Sequence, residues 1–442
     1  MNSDLTAVDV ASGALRALTK RDGPDAAARV SPDGSKIAWL GFEDKRRSYE
    51  NTEVYVGDRD AASPRSLTGW LDRSIVDAAW SADGRSLYAS FDDHGLRKVA
   101  RFELNGHMTP LLDNLSGGVI DRPYVGGEFS VSHDGTIAYT GSDGSAPADV
   151  WLLKDGQKRR LTALNLSLTE SKALASVRRI AVKGADGRPV DAWLATPPGA
   201  VRGQRLPLVL EIHGGPGAAY GPSFSSDVQL YAAAGYAVLW ANPRGSSSYG
   251  AEFANLIDKD YPSADYGDLI AAVDATIADG IADPNNLFVT GGSGGGMLTA
   301  WIVGRTNRFR AAATQKPVIN WISLALTTDA TLFTSRYWFA KMPWEDPISY
   351  WRHSPLSLVG NVKTPTLVLV GSDDYRTPVS EAEQYYAALQ IAGVPTLLIK
   401  VPGAGHGGLA ARPSQSAARV AAIIAWFDRY RDPKVGQQRA VP

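Results

Sequence analysis

The sequence predicts an α/β protein in which an all-β region of short repeats precedes a domain built on a mostly parallel sheet. In the first part of the chain, a Ser-x-Asp-Gly turn followed by a β-prone run starts at Ser31, Ser81 and Ser132, at intervals of about 50 residues. After residue 170, strand-like runs alternate with helix-length segments, which is the pattern of a parallel sheet covered by helices. We therefore predict two domains in the 442-residue chain, over residues 1–170 and 171–442.

The repeats have the length and the turn chemistry of propeller blades. Each Asp-Gly pair favours a tight turn between two strands, and further strand-like runs at 52–57 and 96–104 lie between the copies. Propellers close with about four to eight blades, whereas residues 1–170 hold about three. We therefore predict a partial, propeller-like region that lacks upstream blades.

The second part of the chain begins with an antiparallel hairpin, predicted over 177–197 with its turn at 184–187. Buried strands are then predicted at Leu206–Ile212, 236–241, 287–290, Ala311–Gln315, 366–370 and Thr396–Val401. Helices are predicted at Asp265–Ala278, 296–305, 380–392 and 415–431. The segment 321–358 interrupts this alternation and is rich in Trp, Tyr, Phe and Pro, so we expect it to form helices over the site.

The composition excludes several kinds of chemistry. Hydrophobic residues make up 44% and charged residues 21% of the chain, and the net charge of −1 provides no basic field for nucleic acid. The absence of cysteine excludes disulfides, thiolate nucleophiles and thiolate metal sites. We find no histidine pair at metal-ligand spacing and no phosphate-binding loop followed by lysine, so we expect no metal and no organic cofactor.

The sequence also bears on location. No apolar run approaches the length of a membrane span, and no signal peptide is visible at the N-terminus. The chain as written is therefore expected in the cytoplasm, without a membrane partner. A periplasmic location stays open if upstream sequence is missing, and a homo-oligomer stays open as well.

Residues 291–295, Gly-Gly-Ser-Gly-Gly, are the most informative stretch of the chain. They follow a predicted buried strand and precede a predicted helix, which is the setting of the G-x-S-x-G nucleophile elbow. Such a turn needs glycines because the nucleophile's backbone is strained and neighbouring Cβ atoms would collide with the strand or the helix. Ser293 is therefore the candidate nucleophile, in a domain with the element order of an α/β-hydrolase.

A serine nucleophile needs a histidine base and a carboxylate that orients it, and in α/β-hydrolases these follow the serine in the order acid, then histidine. Of the six histidines, only His353 and His406 follow Ser293. His406 lies in a glycine-rich loop after the last predicted strand, where a general base should project. The acid should follow the strand at 366–370, where Asp373 and Asp374 both qualify by position.

The negative charge that develops in such a reaction needs two N–H donors. One is expected from Gly294, the residue after the nucleophile. The other is expected from the loop His213-Gly214-Gly215-Pro216-Gly217, which follows an earlier strand and has the backbone freedom that this role requires.

Taken together, the chain resembles the prolyl oligopeptidase family of serine peptidases, within the acylaminoacyl-peptidase and bacterial dipeptidyl-peptidase-like branch. The resemblance covers residues 175–432 closely and the repeats more loosely. It is carried by His213-Gly-Gly-Pro216, Asn242-Pro-Arg-Gly245 with Tyr249-Gly250, Gly291-Gly-Ser-Gly-Gly295, Asp374-Tyr-Arg-Thr-Pro378 and Gly405-His-Gly407.

The resemblance implies roles for individual residues. It identifies Asp374, at the start of Asp-x-Arg-x-Pro, as the acid and Gly215 as the second oxyanion donor. It suggests that Arg376 binds a substrate carbonyl, the alternative being a surface ion pair with Asp373 or Glu381. It also suggests that Arg244 and Asp265 form a structural ion pair beneath the site.

The function that follows is hydrolysis of short peptides by a serine peptidase, through a Ser293–Asp374–His406 triad and an acyl-enzyme. In the family, an N-terminal propeller restricts the site to short peptides, but three blades leave this restriction open here. Two alternatives remain: a carboxylesterase with the same triad, and a catalytically idle binding protein that uses its repeats.

Overall fold

The computed structural model describes residues 2–142, 145–201, 203–408 and 412–432. Within these residues, the first part of the chain forms a two-stranded ribbon and three four-stranded antiparallel sheets, in each of which neighbouring strands follow one another along the chain. The ribbon is β1 (Thr6–Val8) and β2 (Leu15–Ala17). The sheets are β3 (Asp25–Val30), β4 (Lys36–Gly41), β5 (Glu53–Asp58) and β6 (Arg65–Ser66); β7 (Ile75–Trp80), β8 (Ser86–Asp93), β9 (Leu96–Glu103) and β10 (Met108–Leu115); β11 (Phe129–Val131), β12 (Ile137–Gly141), β13 (Asp149–Lys154) and β14 (Gln157–Arg160).

The repeated Ser-x-Asp-Gly motif forms the same turn between the first two strands of each sheet. In the first copy, Ser31 Oγ donates to Asp33 Oδ1 at 2.6 Å, and Asp33 Oδ1 accepts from the backbone N–H of Ser35 at 3.1 Å. In the second copy, Ser81 Oγ donates to Asp83 Oδ1 at 2.6 Å. The third copy, at Ser132, repeats this bond with Asp134. The serine and aspartate therefore recur because their side chains close the turn.

The second part of the chain is organised around one eight-stranded sheet. Its strands are β15 (Ser176–Lys183), β16 (Pro189–Thr196), β17 (Leu206–Ile212), β18 (Ala237–Ala241), β19 (Ala282–Gly292), β20 (Ala311–Gln315), β21 (Thr366–Gly371) and β22 (Thr396–Val401). They lie in the order β15-β16-β18-β17-β19-β20-β21-β22. The hairpin β15–β16 joins β18 in antiparallel pairing, and the remaining pairs are parallel. This is the α/β-hydrolase sheet that the sequence predicts.

The helices connect and cover these strands. The α-helices are α1 (Leu166–Glu170), α2 (Ser226–Ala233), α3 (Ala251–Ala254), α4 (Asp265–Ala278), α5 (Gly294–Arg305), α6 (Trp321–Thr327), α7 (Thr331–Phe333), α8 (Pro347–Arg352), α9 (Val379–Ile391) and α10 (Pro413–Tyr430). Short 3₁₀ helices lie at Gly69–Leu71, Asn255–Ile257 and Pro355–Asn361, and a π-helical turn lies at Thr334–Trp338. No helix within the described ranges is both long enough and apolar enough to cross a membrane.

The central strands β17, β18, β20 and β21 are buried along their whole length, as expected for a parallel sheet covered on both faces. The prediction of a buried strand is wrong for Thr396–Val401, because β22 is the last strand of the sheet and several of its side chains are partly or fully exposed. The parallel strands end together at one edge of the sheet, which carries the candidate site.

Candidate active site

Ser293 lies at a sharp turn between β19 and α5. Its φ of 60° and ψ of −121° place it in a backbone region that side-chain-bearing residues rarely adopt, at a cost of about 1–3 kcal/mol. Glycines make room for this turn: a Cβ on Gly291 would lie 2.6 Å from the carbonyl oxygen of Gly295, and one on Gly295 would collide with the carbonyl of Ile212. The backbone N–H of Ser293 donates to the carbonyl oxygen of Gln315 at 3.0 Å, which anchors the turn to β20.

His406 lies between Ser293 and Asp374. Its Nε2 is 3.0 Å from Ser293 Oγ, and its Nδ1 is 2.8 Å from Asp374 Oδ2 and 3.0 Å from Oδ1. Because an ionised carboxylate can only accept a hydrogen bond, the ring proton belongs on Nδ1, and Nε2 is free to accept the serine proton. The structure therefore brings the three predicted residues together in an arrangement suited to activating a serine hydroxyl.

Asp374 is held as a buried, ionised carboxylate. It accepts hydrogen bonds from the backbone N–H groups of Arg376 and Thr377 and from Thr377 Oγ1. Burial raises its pKa, but the hydrogen bond and charge of His406, together with the bonds from Thr377, hold the pKa of Asp374 below its usual value. The neighbouring Asp373, which spacing alone left open, is exposed and accepts instead from Ser372 Oγ at 2.8 Å.

His353, the other histidine after Ser293, lies elsewhere. It is buried, and its Nε2 is 2.9 Å from Asp260 Oδ1 while its Nδ1 is 2.8 Å from the carbonyl oxygen of Ser349. It therefore connects α8 to the loop before α4 and has no contact with the serine.

The predicted oxyanion residues Gly215 and Gly294 lie side by side next to Ser293. A Cβ built on Gly294 would be 2.9 Å from the carbonyl oxygen of Gly215, so the two backbone segments touch. Among the residues that the structure describes, no acceptor receives a hydrogen bond from either backbone N–H. Two unpaired donors beside a serine hydroxyl can bind an oxygen on which negative charge develops.

His213 fixes the conformation of the loop that carries Gly215. Its Nδ1 is 2.7 Å from the carbonyl oxygen of Gly214, and its Nε2 is 3.0 Å from Ser246 Oγ. Burial lowers the pKa of His213 to about 4, so the ring is neutral at physiological pH. Since a carbonyl only accepts, the single ring proton lies on Nδ1 and is donated to Gly214.

Sequence reasoning missed Tyr124, which comes from the loop between β10 and β11. The backbone N–H of Gly214 donates to Tyr124 Oη at 2.8 Å, which places this side chain from the repeat region against the loop that carries Gly215. The two residues are 90 positions apart, and no local pattern in the sequence could have revealed the contact.

A cavity of about 210 Å³ opens beside Ser293. Most of the side chains that line it are apolar or aromatic, among them Tyr261, Met297, Trp321, Leu324, Phe333 and Trp338. Three of these aromatic residues come from the segment 321–358, which forms helices over the site as the sequence predicts. The cavity is therefore suited to an apolar group.

Arg376 lies at this cavity with Thr377. Its Nε is 2.5 Å from Asp329 Oδ1, and both side chains are about half exposed. The alternative considered from the sequence, an ion pair of Arg376 with Asp373 or Glu381, is therefore wrong about the partner. Glu381 is buried and accepts from the backbone N–H groups at the start of α6, so it is not available to Arg376.

The expected pairing of Arg244 with Asp265 is also wrong. Arg244 Nε and Nη2 contact Asp268 at 2.8 Å and 2.7 Å, while Asp265 accepts from the backbone N–H of Ser263 at the start of α4. Both aspartates lie in the first turn of α4, but only Asp268 faces Arg244. The arginine is structural, as expected, with a different partner.

Comparisons with known proteins identify relatives of this chain. A family model described as the prolyl oligopeptidase family matches residues 222–433. Among curated proteins, the uncharacterized peptidase YuxL of Bacillus subtilis is 35% identical over 400 residues, which cover 89% of this chain and 59% of that protein. Dipeptidyl-peptidase 5 of Trichophyton schoenleinii is 26% identical over 437 residues, which cover 93% of this chain and 58% of that protein.

The fold is also found among solved structures. The acylaminoacyl peptidase of Pyrococcus horikoshii superposes with a TM-score of 0.83 at 22% identity, over 98% of this chain and 66% of that one. The chain thus spans a little under three fifths of the length of these two curated relatives.

Proposed function

We propose that this chain, which belongs to the prolyl oligopeptidase family, is a serine peptidase that hydrolyses short peptides through an acyl-enzyme. The observation that supports this most strongly is the hydrogen-bonded series Ser293 Oγ, His406 Nε2 and Nδ1, and Asp374, beside the two unpaired N–H groups of Gly215 and Gly294.

Acylation follows from the positions of these atoms. His406 Nε2 accepts the proton of Ser293 as the serine oxygen attacks the carbonyl carbon of the scissile peptide bond. The charge that forms on the carbonyl oxygen is stabilised by the N–H groups of Gly215 and Gly294. Asp374 stabilises the imidazolium. The C–N bond then breaks as His406 returns the proton to the leaving amine.

Deacylation uses the same groups, with water as the nucleophile and Ser293 Oγ as the leaving group. A water molecule gives a proton to His406 Nε2 and attacks the acyl carbon, forming a second tetrahedral intermediate. This collapses when the bond to Ser293 Oγ breaks and His406 protonates the serine oxygen, which releases the carboxylic acid product.

The cavity beside Ser293 suggests which residue precedes the cleaved bond in a substrate. Because its lining is mostly apolar and aromatic, we propose that it binds a large apolar or aromatic P1 side chain. Arg376, which lies at the same cavity, would donate hydrogen bonds to a substrate carbonyl after leaving Asp329.

Contacts between the repeat region and the site support a limit on the length of the peptides that can reach Ser293. A Cβ built on Gly217 would lie 3.4 Å from the ring of Tyr49, on the loop between β4 and β5, and Tyr337 Oη, from the segment 321–358 over the site, donates to Asp44 on the same loop. We propose that residues 1–170 form the domain that narrows access to the site in the hydrolase domain, residues 171–442.

Cleavage of N-blocked peptide p-nitroanilides with phenylalanine, leucine, aspartate or lysine at P1 tests this function. We expect turnover with the apolar residues and a loss of at least about 10³-fold in kcat for Ser293→Ala. Ser130→Ala, which removes an exposed hydroxyl on β11, serves as the matched control and should retain full activity.

Two results would contradict the proposal. Equal anilide turnover by wild type and Ser293→Ala would exclude Ser293 as the nucleophile. Turnover of the matched ester with no detectable anilide cleavage would instead indicate an esterase. A fluorophosphonate probe that labels wild type but not Ser293→Ala would exclude a catalytically idle binding protein.

A further inference from the structure

The loop between β10 and β11, residues 116–128, here called the connector loop, pairs by backbone hydrogen bonds with the loop between β17 and α2. The N–H of Val125 donates to the carbonyl oxygen of Ala219 at 3.0 Å, and the N–H of Gly221 donates to that of Pro123 at 2.8 Å. Residues 219–221 follow the glycine loop 213–217 after one intervening residue. The connector loop is therefore held beside the part of the chain that supplies Gly215.

Tyr124 reaches from the connector loop to the glycine loop. Its ring packs edge-on against Tyr220 with centroids 4.7 Å apart, and its hydroxyl oxygen accepts the N–H of Gly214 at 2.8 Å. A Cβ built on Gly214 would lie 3.1 Å from Tyr124 Oη and 3.3 Å from Ser293 Cβ. The tyrosine hydroxyl and the serine thus pack against the same residue.

The hydrogen bonds of Gly214 determine where the N–H of Gly215 points. The carbonyl of Gly214 and the N–H of Gly215 belong to one planar peptide unit and point in opposite directions. His213 Nδ1 holds that carbonyl, and Tyr124 holds the N–H on the other side of Gly214. Glycine has more backbone freedom than any other residue, so two anchors are needed to fix its dihedral angles before substrate binds.

We propose that Tyr124, contributed by the repeat region, is a positioning residue for the oxyanion hole. Its hydroxyl acts through Gly214 to aim the N–H of Gly215 at the oxygen of the tetrahedral intermediate. The inference rests on the proposed function and goes further, because it makes the connector loop part of the machinery of the hydrolase domain. Preorganised donors lower the barrier since they need no reorientation as charge develops.

The test is Tyr124→Phe in the full chain, which removes the hydroxyl and keeps the ring against Tyr220. We expect kcat to fall about 10- to 100-fold while KM stays within about twofold, since the bond matters in the transition state. A peptide aldehyde forms a tetrahedral adduct on the serine, so its inhibition constant should rise by a similar factor. The affinity of the carboxylate product, which forms no such adduct, should stay unchanged.

Tyr236→Phe is the matched control. It removes another tyrosine hydroxyl hydrogen bond, 2.7 Å to Asp428 Oδ1, at the residue just before β18 and so at the opposite edge of the sheet from the site. All activities are measured at least about 15 °C below the melting temperature of each variant, so that the folded fraction is equal. The control should lose some thermal stability and keep its kcat.

Each outcome bears on the proposal. Unchanged kcat and aldehyde affinity in Tyr124→Phe would overturn it. A loss of kcat that Tyr236→Phe shares in proportion to its lost thermal stability would overturn it as well, because the role would then be only structural. Failure of the proposed function is detected by a separate measurement. If Ser293→Ala turns over the anilide as fast as wild type, the proposed function is wrong, and the inference about Tyr124 falls with it.

Discussion

Lys316 Nζ donates a 2.6 Å hydrogen bond to the backbone carbonyl oxygen of His406. Lys316 follows β20 directly, so the bond ties the loop that carries the histidine to the sheet beside the turn at Ser293. Burial lowers the pKa of Lys316 to about 8, and the charge of Arg122 acts in the same direction while that of Asp374 opposes it. At neutral pH, a partly buried cation therefore holds the loop in place.

Lys316→Met should reduce kcat about tenfold with little change in KM, because the loop carrying His406 loses its anchor. The pKa of Lys316 is lower in the folded chain than its ordinary value of 10.5, so the unfolded chain binds the extra proton between pH 8 and 10.5. Wild-type stability should therefore rise relative to that of the variant across this window. Melting temperatures of both proteins from pH 7 to 10.5 check this, and the exposed Lys363→Met is the control. A difference in melting temperature that stays constant with pH would contradict the lowered pKa of Lys316.

Asp374→Asn should lower kcat by about 10³- to 10⁴-fold, because an amide can donate to His406 Nδ1 and so favour the wrong tautomer. Asp373→Asn changes an exposed neighbour and should leave kcat within about twofold, which makes it a matched control. The pKa of Asp374 lies below its usual value of 3.8 in the folded chain. Its charge therefore stabilises the wild type at pH values above 3.8, and this contribution is lost as the pH falls through the lower, folded-state pKa. Kinetics of both variants with one anilide test the assignment, and a larger loss in Asp373→Asn would reverse it.

The sequence predicts the strands and helices well where the pattern is local. Leu206–Ile212, Ala311–Gln315 and Asp265–Ala278 are found with the predicted bounds, because each is a continuous or periodic apolar run between turn residues. Helix α2 was missed although Ser225 caps it, accepting from the N–H of Val228, since its apolar residues show little helical periodicity.

The candidate triad could be ordered from the sequence because the α/β-hydrolase topology fixes the sequence of serine, acid and histidine. Contacts between side chains that are distant in the sequence could not be predicted in this way. Asp265 and Asp268 both lie in the first turn of α4, and only the packing of Arg244 distinguishes them. Tyr124 is joined to Gly214 by tertiary structure alone.

Arg376→Met should raise KM about tenfold or more with a smaller effect on kcat, if the guanidinium donates to a substrate carbonyl as proposed, since a charge-assisted hydrogen bond is lost. Asp329→Asn is the partner control. It breaks the half-exposed ion pair with Arg376, and such pairs contribute little to stability, so melting temperature should hardly change. Steady-state kinetics with peptides of two and four residues give KM for each variant. An unchanged KM in Arg376→Met would restrict this residue to its surface ion pair.

Arg419→Met should destabilise the fold by about 3–5 kcal/mol, because it leaves Asp227 as a buried carboxylate without its cation. Arg419 Nη2 is 2.7 Å from Asp227 Oδ2, and each side chain is only 1% exposed, so the pair joins α10 to α2 away from water. Burial raises the pKa of Asp227 above its usual value while Arg419 opposes the rise, so removing Arg419 raises the pKa further. A protonated Asp227 needs no cation, and the deficit should therefore shrink as the pH falls toward 4. Guanidinium unfolding at pH 7 and pH 4.5 measures the free energy of unfolding of wild type and variant. Arg429→Met, which changes an exposed residue on the same helix, is the control. A deficit that is equal in both arginine variants, or equal at both pH values, would contradict the assignment of the loss to Asp227.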